Sequence, residues 1–388
     1  MKSVLLLPLL LALVGCSLNE AQPDLGRLYE QARQNDQQPP VILIPGLMGT
    51  LLESPSMGEI WIGSLTDLAF SDYRRARLNI DPDTLMADPG DVVPAGITGE
   101  FAGRDFYQPI IDTLEDIGGF VRAEAGQSIK HGGRHYYIFT YDWRLDNVQS
   151  AAKLSELVEQ IRIDHDRPDL QVDIIAHSMG GMIARYFMRY GNTDVTTNNE
   201  FPINYHGEGR VRRILLLGTP NMGTVESLKA FIIGRQIGLR RIPPEVMLTF
   251  PSFYQLFPHP LVDWLIDVEG ERIKVDPFNL STWRRFGWSI YDPDLQRTII
   301  DEFDDPAEGA AYLELLQRYF YRQIERGRRF MWSLSIELDR RPWELVVFGG
   351  DCTLTPSRMV LEQSGDEYML HLEPGDIQAP NETIDYER

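Results

Sequence analysis

Short apolar and β-branched runs recur along the chain and alternate with stretches of helical periodicity. The runs are nearly continuous, which is typical of strands buried on both faces. They predict strands at Val41–Ile44, 136–141, 172–176, 214–217, 345–348 and 368–372, with helices at 151–163 and 182–190 between them. Strands that alternate with helices predict an α/β fold with a mostly parallel sheet flanked by helices.

The pattern changes between residues 221 and 341, which are dense in aromatic residues and proline and include Trp264, Trp283 and Trp288. One amphipathic helix is predicted near 308–328. We interpret 221–341 as a cap or lid inserted into a core that spans 39–220 and 342–388; a second packing layer is the alternative.

The N-terminus indicates an exported protein. Lys2 precedes an apolar run at 4–14 that is too short to span a bilayer but is typical of a signal peptide. Gly15 followed by Cys16 resembles the bacterial lipoprotein signal, which predicts a signal peptide at 1–15 and a lipidated Cys16 that begins a tether at 16–38. Ser17 then implies an outer-membrane lipoprotein of the cell envelope, facing the periplasm or the cell surface. The alternative is a plain signal peptide that contains a cysteine.

The amino-acid composition excludes several other classes of protein. The 388 residues are 43% hydrophobic and 24% charged, which excludes collagen-like, coiled-coil and wholly disordered chains. A net charge of −20 argues against nucleic acid as a partner. Two cysteines give no disulfide framework. His131 and His135 have a metal-ligand spacing, but the two glycines between them favour a turn. The sequence has no phosphate loop, dinucleotide fingerprint or calcium loop, so we infer no metal and no cofactor.

The strongest chemical signal is the segment Val-Asp-Ile-Ile-Ala-His-Ser-Met-Gly-Gly-Met at 172–182. A buried strand runs directly into Ser178, a helix begins at once, and the small residues Ala176 and Gly180 stand two positions to either side. This is the strand–turn–helix that exposes a nucleophilic serine. His177 is not a candidate base, because adjacent residues on the turn point in different directions.

An oxyanion hole is predicted beside this serine. The segment Pro-Gly-Leu-Met-Gly-Thr at 45–50 follows the first predicted strand and is suited to presenting a backbone amide. The amides of Leu47 and Met179 are the expected donors. The alternative is that Pro45 and Gly46 merely end a strand.

Several motifs together resemble the lecithin–cholesterol acyltransferase family, including its lysosomal phospholipase and bacterial relatives. They are Pro-Val-Ile-Leu-Ile-Pro-Gly-Leu-Met-Gly-Thr at 40–50, Tyr-Asp-Trp-Arg-Leu at 141–145, Ala-His-Ser-Met-Gly at 176–180, Leu-Leu-Gly-Thr-Pro at 216–220 and Gly-Gly-Asp-Cys-Thr-Leu-Thr at 349–355. The resemblance keeps motif order from about residue 39 to 351, and the 141–145 motif is the most specific.

The resemblance implies an α/β-hydrolase fold that acts on phospholipid acyl esters. The acyl group would pass to the serine and then to water or an alcohol. The family's nucleophile falls on Ser178, its acid on Asp351 and its oxyanion amides on Leu47 and Met179. The order serine, acid, histidine is also the one this fold uses.

The motifs do not identify the catalytic base. Of the seven histidines, His371 alone follows Asp351. The family's histidine sits in the loop after the last strand, where this chain has 377–379 without a histidine, and His371 lies earlier, within the predicted strand. Three readings stay open: His371 is the base, His259 or His135 substitutes for it, or the base is lost.

We therefore expect a serine-dependent lipid acyl hydrolase or O-acyltransferase whose partner is a membrane lipid or another acyl ester. One alternative is a catalytically impaired lipoprotein that binds lipid or a partner protein, since loss of the base costs orders of magnitude in rate. The other is an esterase for small soluble esters.

Overall fold

The computed structural model describes residues 26, 29–30, 38–61, 71, 73–98, 100–101, 104–105, 107–130, 132–237, 239–350, 355–365, 367–381, 383–384 and 386. The expected lipidation site Cys16 and the expected acid Asp351 lie outside the described residues, as does His131.

The strands and helices follow in chain order. The strands are β1 (Val41–Ile44), β2 (Thr50–Ser54), β3 (Gly58–Trp61), β4 (Asn79–Ile80), β5 (Ala87–Asp88), β6 (Val93–Ile97), β7 (Glu100–Phe101), β8 (Arg104–Asp105), β9 (Phe120–Arg122), β10 (Arg134–Ile138), β11 (Val172–His177), β12 (Val211–Leu217), β13 (Arg235–Ile237), β14 (Arg240–Ile242), β15 (Leu265–Asp267), β16 (Glu344–Phe348), β17 (Met359–Ser364) and β18 (Glu367–His371). The helices are α1 (Gln108–Asp112), α2 (Asn147–Asp164), α3 (Met179–Tyr190), α4 (Val225–Ile233), α5 (Pro244–Met247), α6 (Pro251–Tyr254), α7 (Leu280–Phe286), α8 (Pro293–Ile300) and α9 (Pro306–Ser335).

A six-stranded sheet of order β16-β12-β11-β1-β10-β9 forms the centre of the fold, and each neighbouring pair is parallel. On β1, Ile42 and Ile44 contribute to the main core, whereas Val41 contributes to a smaller core with Leu114 and Tyr136. Alternate residues of one strand thus pack on opposite faces. The predicted parallel sheet is confirmed, and β1 is buried on both faces. The burial expected for 345–348 is wrong, because β16 is an edge strand whose Leu345, Val347 and Phe348 are exposed.

Among the described residues of the segment 221–341, helix α9 is the longest element. The Asp305 side chain caps its start by accepting a hydrogen bond from the Ala307 amide at 2.8 Å. The helix extends beyond the predicted 308–328, because Phe330, Met331 and Leu334 continue its buried stripe.

The strand predicted at 368–372 forms as β18, but it does not join the central sheet. β18 pairs antiparallel with β17, and β17 pairs parallel with β15, a strand of the segment 221–341. The Met359 amide donates to the Trp264 carbonyl at 2.8 Å, and Tyr368 packs edge-on against Phe286 at 5.1 Å. Aromatic packing against the segment 221–341 therefore accompanies this pairing.

Across the described ranges, no helix combines the length and the apolar composition that crossing a membrane requires.

Candidate active site

Ser178 sits on a strained turn between β11 and α3. Its φ of 51° and ψ of −125° are unusual for a residue with a side chain. Its amide donates to the Leu217 carbonyl at 2.9 Å, which ties the turn to β12. A Cβ on Gly180 would lie 2.5 Å from the Pro45 carbonyl oxygen, and one on Gly181 would lie 2.0 Å from the Thr219 hydroxyl. The turn therefore requires small residues after the serine.

The ends of four neighbouring strands meet at one cavity of about 780 Å³. Leu47 follows β1, Ser178 follows β11, Gly218 follows β12 and Gly349 follows β16, and all four line this cavity. The carboxyl edge of a parallel sheet is where ligands bind in folds of this kind.

The loop after β1 is held from two sides. The Gly46 amide donates to the Tyr107 hydroxyl at 2.8 Å, and the Tyr141 hydroxyl donates to the Pro45 carbonyl at 2.9 Å. The Gly49 amide closes a turn onto the Gly46 carbonyl at 3.0 Å. These bonds fix the backbone on both sides of Leu47.

Two backbone amides are left available next to Ser178. Within the described part of the chain, the amides of Leu47 and Met179 donate no hydrogen bond to another protein group. Met179 is the first residue of α3, where helix amides lack internal partners. This is the arrangement that an oxyanion hole requires.

The buried Tyr107 and the partly buried His177 contact each other beside the loop after β1. The Tyr107 hydroxyl lies 3.1 Å from His177 Nδ1, and the two rings meet edge-on at 5.7 Å. Burial raises the pKa of Tyr107 to about 12 and lowers the pKa of His177. Both groups are therefore neutral at pH 7, and the hydroxyl links the loop to the residue before Ser178.

The motif at 141–145 contacts both the loop after β1 and helix α6. Arg144 and Asp142 form a buried ion pair at 2.6 Å. The Trp143 indole donates to the Thr50 carbonyl at 3.2 Å, and the Ser252 hydroxyl donates to the Trp143 carbonyl at 2.6 Å. Through these bonds and that of Tyr141, the motif connects the loop after β1 to helix α6.

His371 lies in β18, outside the set of residues that line the cavity. Its Nε2 is 2.8 Å from Glu362 Oε2, and the Glu362 carboxylate also accepts from the Gln378 and Ala379 amides at 3.0 and 2.8 Å. The structure thus brings Leu47, Met179 and Ser178 together and engages His371 with Glu362.

The other histidines considered as bases occupy different environments. His259 is fully buried beside Trp332, its Nδ1 accepts from the Leu261 amide at 3.2 Å, and its Nε2 has no hydrogen-bond partner among the described groups. His135 lies on β10 with its ring 5.4 Å from that of His165. In the described part of the chain, His177 is the histidine that lines the cavity.

Asp351 lies outside the described residues, between Gly350 and Thr355. Gly350 and Thr355 both line the cavity that Ser178 lines. Among the described residues there is no group of three or more histidine, cysteine or acidic side chains arranged to hold a metal ion.

Sequence reasoning missed Tyr107 and Arg235, which also line the cavity. Tyr107 lies 61 residues from its partner Gly46 and belongs to no local motif. Arg235 lies in a short hairpin whose position against the cavity has no signal in the sequence. Only the tertiary structure shows that they are near Ser178.

A parallel sheet with a strained serine between a central strand and a helix defines the α/β-hydrolase class, so the expected fold class is confirmed. The model of the lecithin:cholesterol acyltransferase family matches residues 133–279, which confirms the resemblance. A chain from the crystal structure of the Tle4–Tli4 complex matches with a TM-score of 0.51 and 14% identity, over 89% of this chain and 79% of that chain. At this identity the likeness concerns the fold alone.

No curated protein matches the chain. The family match and the fold together support an acyl hydrolase or acyltransferase in general.

Proposed function

We propose that this protein is a serine-dependent acyl hydrolase or O-acyltransferase for lipid acyl esters, with glycerophospholipid as the main substrate. The observation that carries the proposal is the strained Ser178 at a cavity where the amides of Leu47 and Met179 are free to donate. The match to the lecithin:cholesterol acyltransferase model over 133–279 supports the lipid ester as substrate.

In this mechanism the Ser178 hydroxyl attacks the ester carbonyl and loses its proton to a histidine base. The carbonyl oxygen becomes an oxyanion that accepts from Leu47 and Met179. The intermediate collapses to an acyl-serine and releases the alcohol, which takes the proton from the base. Water or another alcohol then attacks the acyl-serine by the same steps.

We assign the acid to Asp351 and the base to His371, with His259 and His135 as the alternatives. The cavity-lining positions of Gly350 and Thr355 support the assignment of Asp351. A base must come within hydrogen-bond reach of the serine. His371 meets this requirement only if it exchanges Glu362 for Ser178 when substrate binds.

The engagement of His371 with Glu362 also favours a second candidate function. A chain whose nucleophile lacks a base would bind a lipid or a partner protein in this cavity without efficient turnover. The enzyme and the binding protein would use the same cavity, but Ser178 would react with an ester efficiently only in the enzyme.

Reaction with a fluorophosphonate serine probe, read by intact mass, separates the candidates. We expect stoichiometric labelling of the wild type, none of Ser178→Ala, and at least about 100-fold slower labelling of His371→Ala. His165→Gln, far from the cavity lining, should label as the wild type does. Labelling that survives His371→Ala but is lost in His259→Ala or His135→Ala would move the base, and a folded wild type that never labels would favour the binding protein.

We propose further that Cys16 carries a lipid anchor that holds the protein in the cell envelope, as the segment before it suggests. Expression in a bacterial host should place the wild type in the membrane fraction and Cys16→Ser in the soluble periplasmic fraction. Equal distribution of the two proteins would contradict the anchor and leave the enzymatic proposal intact.

A further inference from the structure

Arg235 places a cationic side chain in the cavity that contains Ser178. It opens β13, which pairs with β14 in a short antiparallel hairpin that follows α4. Its side chain is partly buried, and this burial lowers the pKa of the guanidinium while nearby Glu226 raises it. Partial burial therefore disfavours the charged form of the guanidinium unless an anion lies beside it.

The arginines of this hairpin differ in what they bind. Arg241 donates to the Ile233 carbonyl at 2.8 Å, and Arg240 donates to the Ser71 carbonyl at 3.4 Å. The side chain of Arg235 makes no hydrogen bond or ion pair with any described group. Arg235 is thus the arginine of the hairpin whose donors are available to a ligand.

The other charged residue lining the cavity, within the described chain, is Glu226 in the first turn of α4. It is exposed, and its carboxylate does not come within ion-pair distance of Arg235. Apart from this pair, the lining consists of neutral polar and apolar residues such as Leu47, Val225 and Val262. Among the described residues, the cavity lining therefore carries one cationic and one anionic side chain in otherwise neutral walls.

We propose that Arg235 and Glu226 form the headgroup site for a zwitterionic glycerophospholipid, with the phosphate on Arg235 and the ammonium group facing Glu226. A guanidinium presents paired donors that match two phosphate oxygens. Glu226 then disfavours a headgroup with no cation. The inference rests on the proposed function, because it names the substrate class of the same site.

The test compares lipids with matched acyl chains in mixed detergent micelles: phosphatidylethanolamine, phosphatidylglycerol and diacylglycerol, which has no phosphate. We expect Arg235→Gln to lower kcat/KM for phosphatidylethanolamine by about 10- to 100-fold while changing diacylglycerol cleavage less than about threefold. Glu226→Gln should raise the ratio of phosphatidylglycerol to phosphatidylethanolamine cleavage. Arg240→Gln, on the same hairpin but outside the cavity lining, should match the wild type.

The diacylglycerol rate shows whether each variant is folded and active. Equal losses on both lipids in Arg235→Gln, or no loss on either, would overturn the phosphate assignment while leaving Ser178 chemistry in place. An unchanged lipid preference in Glu226→Gln would overturn the ammonium assignment. A wild type inactive on all three lipids and unreactive with the serine probe would instead refute the proposed function itself.

Discussion

The end of the site that contains Ser178 and the end that we propose to supply the acid and the base are supported to very different degrees. At the nucleophile end, the Tyr107 hydroxyl and the Leu217 carbonyl accept hydrogen bonds from the Gly46 and Ser178 amides, and the Tyr141 hydroxyl donates to the Pro45 carbonyl. These bonds hold the strained serine turn and the loop beside it. At the other end, β16 is the edge strand of the sheet, and its Leu345 and Val347 are 50% and 58% exposed. His371 is engaged with Glu362 in a different sheet.

The difference shows where tertiary support is indispensable. A backbone conformation like that of Ser178 persists only when its surroundings determine it fully. The proposed base His371 lies in the regular strand β18 and needs no such strain. We therefore expect substitutions at the two ends to fail in different ways.

The largest effect is expected at the acid. Asp351→Asn should lower kcat by about 10⁴-fold, because an amide cannot stabilise a charged histidine or hold it in the required tautomer. Lipid hydrolysis under single-turnover conditions measures it. Asp83→Asn, an exposed aspartate outside the site, removes the same charge and should have no effect. A loss below tenfold in Asp351→Asn would place the acid elsewhere.

Gly46→Ala should lower kcat by about 10²- to 10³-fold, the effect of losing one oxyanion donor. The new methyl would lie 2.8 Å from Ser178 Cβ and 3.1 Å from His177 Nδ1, so the loop or the serine turn must move. Fluorophosphonate labelling rates measure the effect. At Gly132 a methyl meets no described atom within 4 Å, so Gly132→Ala is the control. Equal rates in the two variants would show that the loop does not position a donor.

Tyr107→Phe should lower kcat/KM by about tenfold with little change in fold. It leaves the buried Gly46 amide without its acceptor, a cost of about 1–3 kcal/mol that the loop can relieve by shifting. Tyr137→Phe is matched, because Tyr137 also has a buried hydroxyl 3.1 Å from a histidine nitrogen, that of His165, away from the cavity. If both variants lost activity equally, a general packing effect would replace the positioning role.

Glu362→Gln should have the smallest effect on activity and act on stability instead, lowering Tm by about 2–4 °C at pH 7. The Gln378 amide is the main cause of the lowered pKa of the Glu362 carboxyl, whose ordinary value is 4.5. A lowered pKa means that the carboxylate stabilises the fold above pH 4.5 and that this contribution is lost as the pH falls through the pKa of the folded state.

The Tm difference between wild type and Glu362→Gln should accordingly be present at pH 7 and disappear in acid, as followed by thermal unfolding across pH. A variant with unchanged Tm but at least tenfold slower probe labelling would contradict this, because the carboxylate would then belong to the active site. In that case the end of the site with Ser178 and the end with His371 would no longer differ in the way described above.

Much of the fold and half of the site could be predicted from local pattern. Strand Val41–Ile44 forms with the predicted bounds, and Ser178 takes the expected turn because the small residues that permit it are its neighbours in the chain. The apolar run at 368–372 predicted a strand but not its partner. That choice depends on the pairing of β17 with β15 and on the packing of Tyr368 against Phe286, about 80 to 100 residues away in the chain.

The sequence by itself determined what adjacent residues decide: the strand and helix pattern, the nucleophile turn, the family motifs and the expected lipoprotein signal. Only the tertiary structure decided which groups meet across long separations, such as Tyr107 with Gly46, His371 with Glu362, and Arg235 with the cavity of Ser178. The physical reason is that a strained turn is encoded by the steric limits of consecutive residues. A contact between distant residues results from the packing of the whole chain, which no local window contains.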